Sequence, residues 1–360
     1  MKTWQFLVLA VAIAAAAFGA AAWLNVDYLF FAGYVVLQYV VLATAWNILG
    51  GYAGYMNLGV SAFFALGAYT TIALQTALKA PLPVTIPAAG IVSGFVGLGM
   101  GYLTLRFKGI YFAIATLALA VVAETFVTNW DYVGGSAGAY VLHPRYGPWW
   151  FGSYIEYLFL LMLILATLAV AAARTVERTS LGYGLTAIRD DELAAEANGV
   201  PTLRLKLLAT CLSGALMGMA GAPLPYYVSF LEPTSAFNLG YAVTTIAMPM
   251  IGGTKTWLGP LIGSLLVATA QQVITVTFSS EVNLLVVGVL LVGFVMLAPN
   301  GIVGWFQRRS HCGVRIDELR HDASAKSIAP VRLSQWLQKV PERILLSTAR
   351  AARCLRRLHR

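Results

Sequence analysis

Charge is what this chain has least of. Only 11% of its 360 residues are Asp, Glu, Lys or Arg, where a soluble domain carries about 25%. With 59% hydrophobic residues and a mean hydropathy of +0.74, the chain is built to span a bilayer. Cysteine is scarce too: Cys211, Cys312 and Cys354 have neither metal-ligand spacing nor the pattern of a disulfide framework. Cys211, inside an apolar run, is most simply a small core residue. There is no G-x-x-x-x-G-K-[ST] loop, no H-E-x-x-H and no G-x-S-x-G elbow. Segments between apolar runs are too short to bury a catalytic domain. An intramembrane enzyme needs paired acids or a Ser/His/Lys set inside its helices, and Glu124 stands alone. His143 has no second ligand at metal spacing. The composition thus points away from an enzyme, and from any bound cofactor or metal.

The net charge of +9 is confined to one place. Residues 306–360 hold 13 of the 24 Lys/Arg and 4 of the 15 Asp/Glu, so the remainder is neutral. The basic character belongs to a tail, and nothing suggests nucleic-acid binding by the whole protein. Past Pro341, Arg343, Arg350, Arg353, Arg357 and Arg360 share one helical face, and Leu345, Thr348, Ala352 and Leu355 another. An amphipathic helix over 342–360 would bind anionic lipid headgroups; the other reading is a disordered basic end. Residues 310–330 read as a spacer.

A spanning helix takes about 20 apolar residues. Ten candidates follow: 6–24, 28–49, 60–78, 84–105, 109–129, 154–173, 207–228, 239–254, 258–278 and 282–298. The first also has the features of a signal peptide, and it is expected to be retained. Of the later runs, 239–254 is interrupted by Pro249 and Gly252, and 282–298 is short. Alternate connections gather Arg106, Lys108, Arg174, Arg178, Arg189, Arg204, Lys206 and Lys255 on one side with Lys2 and the tail. Only Lys79 and Arg145 fall on the other. The positive-inside rule then places both termini in the cytoplasm.

Several polar or glycine-rich stretches interrupt this pattern. Residues 50–59 read GGYAGYMNLG, too rich in glycine for a stable helix. They form either a plain turn or broken backbone that is buried in protein or lines a cavity. Gly54, Asn57 and Gly59 are therefore candidates for the border of a path. Glu124, about a turn and a half from the outer end of its helix, is either a carboxyl that snorkels to the membrane surface or is protonated and held by a neighbour, or an acceptor lining a cavity. Residues 130–153, with Gly134, Gly135, Ser136 and the Trp149–Trp150 pair, suit an interface lid or belt. Gly214, Gly218 and Gly221 offer a close-packing face. Gln271 and Gln272 bond across helices or line a path. Asn57-Leu58-Gly59 recurs as Asn238-Leu239-Gly240, five helices later. Chance produces such a match; so does an inverted repeat of five-helix halves.

One stretch is as polar as the rest is apolar. Between Arg174 and Lys206 charges crowd together, and the middle reads as a helix. Thr179 or Ser180 caps its start, and Gly199 with Pro201 ends it. Ala187, Asp191, Ala194, Ala195 and Asn198 give it a small face at helical spacing. A short helix with a small face fits a groove on another protein. It is the expected plug through which a membrane protein without an energy source receives force.

Six ordered blocks within residues 28–305 resemble the LivM-type permeases of branched-chain amino-acid ABC importers; urea permeases share much of the pattern. The blocks are GGYAGYMNLGVSAFFALGAYT, KGIYFAIATLALA, VGGSAG, SLGYGLTAIRDDELAAEANGVPTLRLKLLA, IGGTKTWLGPLIGSLL and APNGIVG. The resemblance implies a bacterial inner-membrane importer in which a second permease completes the pore. Two cytoplasmic ATPases bind ATP and Mg, and a periplasmic binding protein delivers the solute. It makes the Ala187–Gly199 helix a coupling helix. The family's EAA-like loop falls on Glu192, Ala194, Ala195, Glu196 and Gly199, with Gly182 and Arg189 upstream. Many relatives carry an acid or Asn where this chain has Ser136-Ala137, which weakens the case for solute delivery at that loop. Relatives usually end soon after the last helix, so the tail inherits no role.

The expected architecture is an all-α polytopic membrane protein. A transmembrane permease domain covers residues 1–305, with a coupling loop at 174–206, and a basic tail covers 306–360. The leading solute is a branched-chain or related amino acid, then urea or a short amide. A secondary transporter or channel working alone is the rival, and it would require midplane acids beyond Glu124.

Overall fold

The structure is a computed structural model. It describes residues 27–104, 107, 109–141 and 153–277, with isolated positions before and after, of which residues 301–302 touch the fold. The expected helices 6–24 and 282–298, His143, the Trp149–Trp150 pair and the basic tail lie outside the described residues.

Long apolar runs become helices because no water in a bilayer can satisfy an open backbone. In order they are α1 (Asp27–Leu49), α2 (Val60–Leu78), α3 (Leu82–Thr104), α4 (Ile110–Thr128), α5 (Tyr154–Arg178), α6 (Ser180–Asp190), α7 (Glu192–Ala197) and α8 (Thr202–Gly221). Then come the short α9 (Leu224–Val228) and α10 (Pro233–Ala236), followed by α11 (Leu239–Gly252) and α12 (Leu258–Thr277). Among the described residues seven helices are long and apolar enough to cross a membrane, α8 running on through α9. The chain is a mostly helical, multi-pass membrane protein. The eighth predicted run, α11, has 14 residues and carries Pro249, so it reaches only about 21 Å.

The long helices alternate in direction. One end of the bundle gathers the C-termini of α1, α5 and α11 with the N-termini of α2, α8 and α12. The opposite end is tied by a two-stranded antiparallel ribbon, β1 (Ala139–Tyr140) on β2 (Phe230–Leu231). There Tyr226 donates to Gln75 Oε1 at 2.9 Å.

At the centre α8 packs on α3, α2 and α1, while α1 also meets α5 and α12. Tyr34, Phe63, Phe64, Leu158, Met162 and Met217 are fully buried there. Small residues allow the closest approach. A Cβ at Gly67 would run into the carbonyl of Gly218, and one at Gly218 into Ser93. The expected packing face of α8 is thus in use against α2 and α3. At the edge, α4 has 22% of its span buried where the α8–α9 span has 67%. Ile110, Tyr111, Val121, Val122 and Phe126 of α4 point outward.

Candidate functional site

Residues 50–59 leave α1 in a turn and reach α2 without further helix. Their backbone is satisfied by protein. Gly51 N and Ala53 N donate to the carbonyls of Asn47 and Leu49, at 2.9 and 3.2 Å. Trp46 Nε1 donates to the Asn57 carbonyl at 2.9 Å. Leu58 N donates to Thr116 Oγ1 of α4 at 3.1 Å, and Gly59 N to Asn57 Oδ1 at 2.8 Å. Tyr52, Tyr55, Asn57 and Gly59 are buried, whereas Gly54 and Met56 are exposed. The segment is a turn followed by irregular backbone, most of it buried against protein.

The polar stretch folds into two helices where one was expected. Asp191 adopts an extended backbone (φ −159°, ψ 113°) between α6 and α7. Its Oδ1 accepts from Leu193 N and Ala194 N, at 2.9 and 3.1 Å. An aspartate there opens a new helix as an N-cap. Gly199, at φ +82°, follows α7, as anticipated. Thr179 does precede α6, but its Oγ1 donates to the Val176 carbonyl at 2.9 Å and caps nothing.

The two parts meet. Arg189 Nη1 donates to the Gly51 carbonyl at 2.9 Å. Gly54 sits at φ +77°, and a Cβ there would lie 2.8 Å from Arg189 Cγ. Both the backbone and the space require glycine. On the other side of the Asp191 break, Glu192 Oε2 accepts from the Tyr55 hydroxyl at 2.9 Å. Its Oε1 accepts from Lys206 Nζ at 2.7 Å. The ammonium also donates to Tyr55 Oη at 3.1 Å and stands 4.9 Å from that ring's centroid. Phe112 of α4 packs edge-on against Tyr55 at 5.1 Å. The side chains of Lys206 and Glu192 are only 3% and 15% exposed.

A second acid repeats the theme. Glu177 Oε2, at the end of α5, accepts from the Tyr52 hydroxyl at 3.2 Å and from Trp257 N at 2.7 Å. Burial, and then the Glu177 charge, push the Tyr52 hydroxyl well above the ordinary tyrosine range, so it stays a donor.

The expected coupling residues divide by exposure. Ala194, Glu196 and Gly199 are exposed, Ala187, Arg189 and Glu192 half-buried, and Gly182 and Ala195 buried. A Cβ at Gly182 would strike the Val176 carbonyl. Glu196 Oε1 accepts from Thr202 Oγ1 at 2.6 Å. The outward face of α7 therefore consists of Leu193, Ala194, Glu196 and Ala197, with Leu193 69% exposed. Of the path candidates, Gly54, Asn57 and Gly59 lie in the broken segment. Glu124 does not join them. It is half-buried on α4, eight residues past Thr116 and thus about 12 Å farther along the helix.

Sequence reasoning passed over Tyr55, Lys206 and Glu177. Lys206 counted only as an orienting charge. Its place between Leu205 and Leu207, at the start of an apolar run, was the available signal. Among the described residues, no three His, Cys, Asp or Glu side chains stand close enough to hold a metal ion. The cluster binds helix to loop.

Comparison with known proteins gives the context. The chain is 27% identical over 293 residues to the high-affinity branched-chain amino acid transport system permease protein LivM of Salmonella typhimurium, covering 75% of this chain and 68% of that protein. It is 26% identical to the Escherichia coli LivM with the same coverage. It is 23% identical over 265 residues to a probable LivH permease of Methanocaldococcus jannaschii, covering 69% and 82%. No solved structure matches. The family model for the permease component of the branched-chain amino acid transport system matches residues 28–295; the chain belongs to that family, and is a permease subunit of an ABC importer.

Proposed function

We propose that this permease pairs with a second, related permease to form the path for a branched-chain or related amino acid. Two ATPases, carrying ATP and Mg, power it from the cytoplasmic side, and a periplasmic binding protein delivers the solute. The Lys/Arg distribution supports a cytoplasmic position for both termini. The α6–α7 segment then lies on the cytoplasmic side, and the β1–β2 ribbon outside. The observation that carries this reading is α7: a short helix with an outward apolar and small face, fastened on its inner side to the broken segment 50–59. It docks in an ATPase groove, and ATP closure moves the bundle through it.

Gly54, on the exposed side of the 50–59 segment, and Glu124, farther along α4, border the path at different depths, with Asn57 and Gly59 fixing the segment from behind; the Glu124 carboxylate suits the ammonium of a zwitterion. An inverted repeat is supported by matching packing: α3 lies on α8 as α12 lies on α1, and α2 on α3 as α11 on α12. The two Asn-Leu-Gly copies make the same local bond, Gly240 N donating to Asn238 Oδ1 at 2.7 Å. Co-expression with candidate ATPases tests the proposal. Co-purification, with ATP-dependent leucine uptake in proteoliposomes, is expected. Uptake by the purified chain alone would favour a secondary transporter instead.

A further inference from the structure

We infer that Glu192 is a positioning residue of the transport cycle, which passes displacement of α7 to the 50–59 segment through Tyr55, with Lys206 as their shared cation. The inference rests on the reading of α7 as the ATPase-contacting helix.

A distant stretch of chain converges on two nearer ones. Tyr55 lies 137 residues from Glu192 and 151 from Lys206, yet its bonds to them measure 2.9 and 3.1 Å; Glu192 and Lys206, 14 residues apart, meet at 2.7 Å. Stability alone does not call for these charges. Removing an ion pair from water is costly, and apolar side chains of similar volume often hold a fold as well or better. What a charged, hydrogen-bonded cluster adds is a fixed register between elements, and here the elements are α7, α8 and the broken segment.

The attachments bracket the break at Asp191. Arg189, the penultimate residue of α6, holds the carbonyl of Gly51. Glu192, the first residue of α7, holds the hydroxyl of Tyr55. A shift of α7 against α6 therefore changes the separation of Gly51 and Tyr55. Between them lies Gly54 at φ +77°, the residue best able to absorb a change in backbone angles. Loss of the Glu192 charge weakens the hold of α7 on Tyr55 and Lys206 while the surface of α7 that faces outward stays as it was.

The test uses the whole complex, the chain co-expressed with its second permease and ATPases and reconstituted in proteoliposomes. Glu192→Gln keeps the shape and removes the charge. The pair Glu192→Leu with Lys206→Met keeps the volume and removes both charges. Two quantities are read: ATP hydrolysed per leucine transported, and the distance between nitroxides at Met56 and Leu103, both exposed, with and without ATP·Mg trapped by vanadate. In the parent complex trapping changes that distance. In the double variant the thermal midpoint is kept, the change is lost, and ATP consumed per leucine rises at least tenfold. A purely structural cluster would lower hydrolysis and uptake together and be rescued by the apolar pair; full coupling in that variant overturns the inference. If the parent chain recruits no ATPase, the importer reading falls first and takes this one with it.

Discussion

The guanidinium of Arg189 donates to the carbonyl of Gly51 across 138 residues of chain, at 2.9 Å, over a glycine whose missing side chain makes the room. Arg189→Ala removes a charged hydrogen bond worth about 1.5–3 kcal/mol and loosens the turn at Gly54. A lower thermal midpoint is expected, with ATP-dependent uptake reduced several-fold. Arg189→Lys cannot reproduce the planar fork and is expected to recover only part of both. Unchanged uptake in Arg189→Ala would show that this contact is incidental.

Gly218→Leu should be far more damaging than its apolar setting suggests. Its side chain has to enter the space held by Ser93 and the Ala89 carbonyl. Overpacking costs about 1–3 kcal/mol where neighbours can yield, and backbone yields least. The expected result is loss of folded protein in the membrane, read as detergent-resistant fluorescence of a tagged chain. Gly99→Leu, with nothing within 4 Å of its Cβ position, is the matched control and should insert normally.

Leu193 and Asp191 separate docking from folding. Leu193→Arg changes an exposed side chain and should alter stability by less than about 0.5 kcal/mol. It should nevertheless abolish ATPase co-purification. Asp191→Ala removes the cap of α7 at a cost of about 1 kcal/mol, and should weaken ATPase binding only partly. Equal recovery of ATPase with both variants would place the docking face elsewhere.

Glu124→Gln is expected to leave assembly intact and cut leucine uptake about tenfold, with Glu124→Asp retaining part of it. Uptake measured at saturating binding protein is the suitable readout, because delivery is then not limiting. Full activity of the Gln variant would return Glu124 to the role of a carboxylate reaching for the membrane surface.

How much of this was legible in the residues depends on the kind of feature. The described long helices fall within a few residues of the runs read from hydropathy, because length and apolarity decide them. Gly50–Gly59 announced itself through composition, and so did the polar stretch of Arg174 to Lys206. The break at Asp191 was missed, although Asp190-Asp191-Glu192 spells an N-cap. The small residues were taken as one continuous face, and one helix was drawn through them. With the helix divided, Ala195 turns inward and Ala194 outward, which no periodicity count over the undivided segment could give. The meeting of Tyr55, Glu192 and Lys206 was beyond reach. It depends on which helices become neighbours, and a lone lysine beside leucines does not name its partner.

The shortness of α11 has a spatial consequence. At about 21 Å it falls about 9 Å short of the hydrocarbon layer. The end that begins at Asn238 is flanked by exposed Glu232, Thr234 and Ser235, groups that keep company with water. The remaining depth on that side is taken up by α10 and the turn to Asn238, so polar groups stand where a longer helix would carry apolar ones.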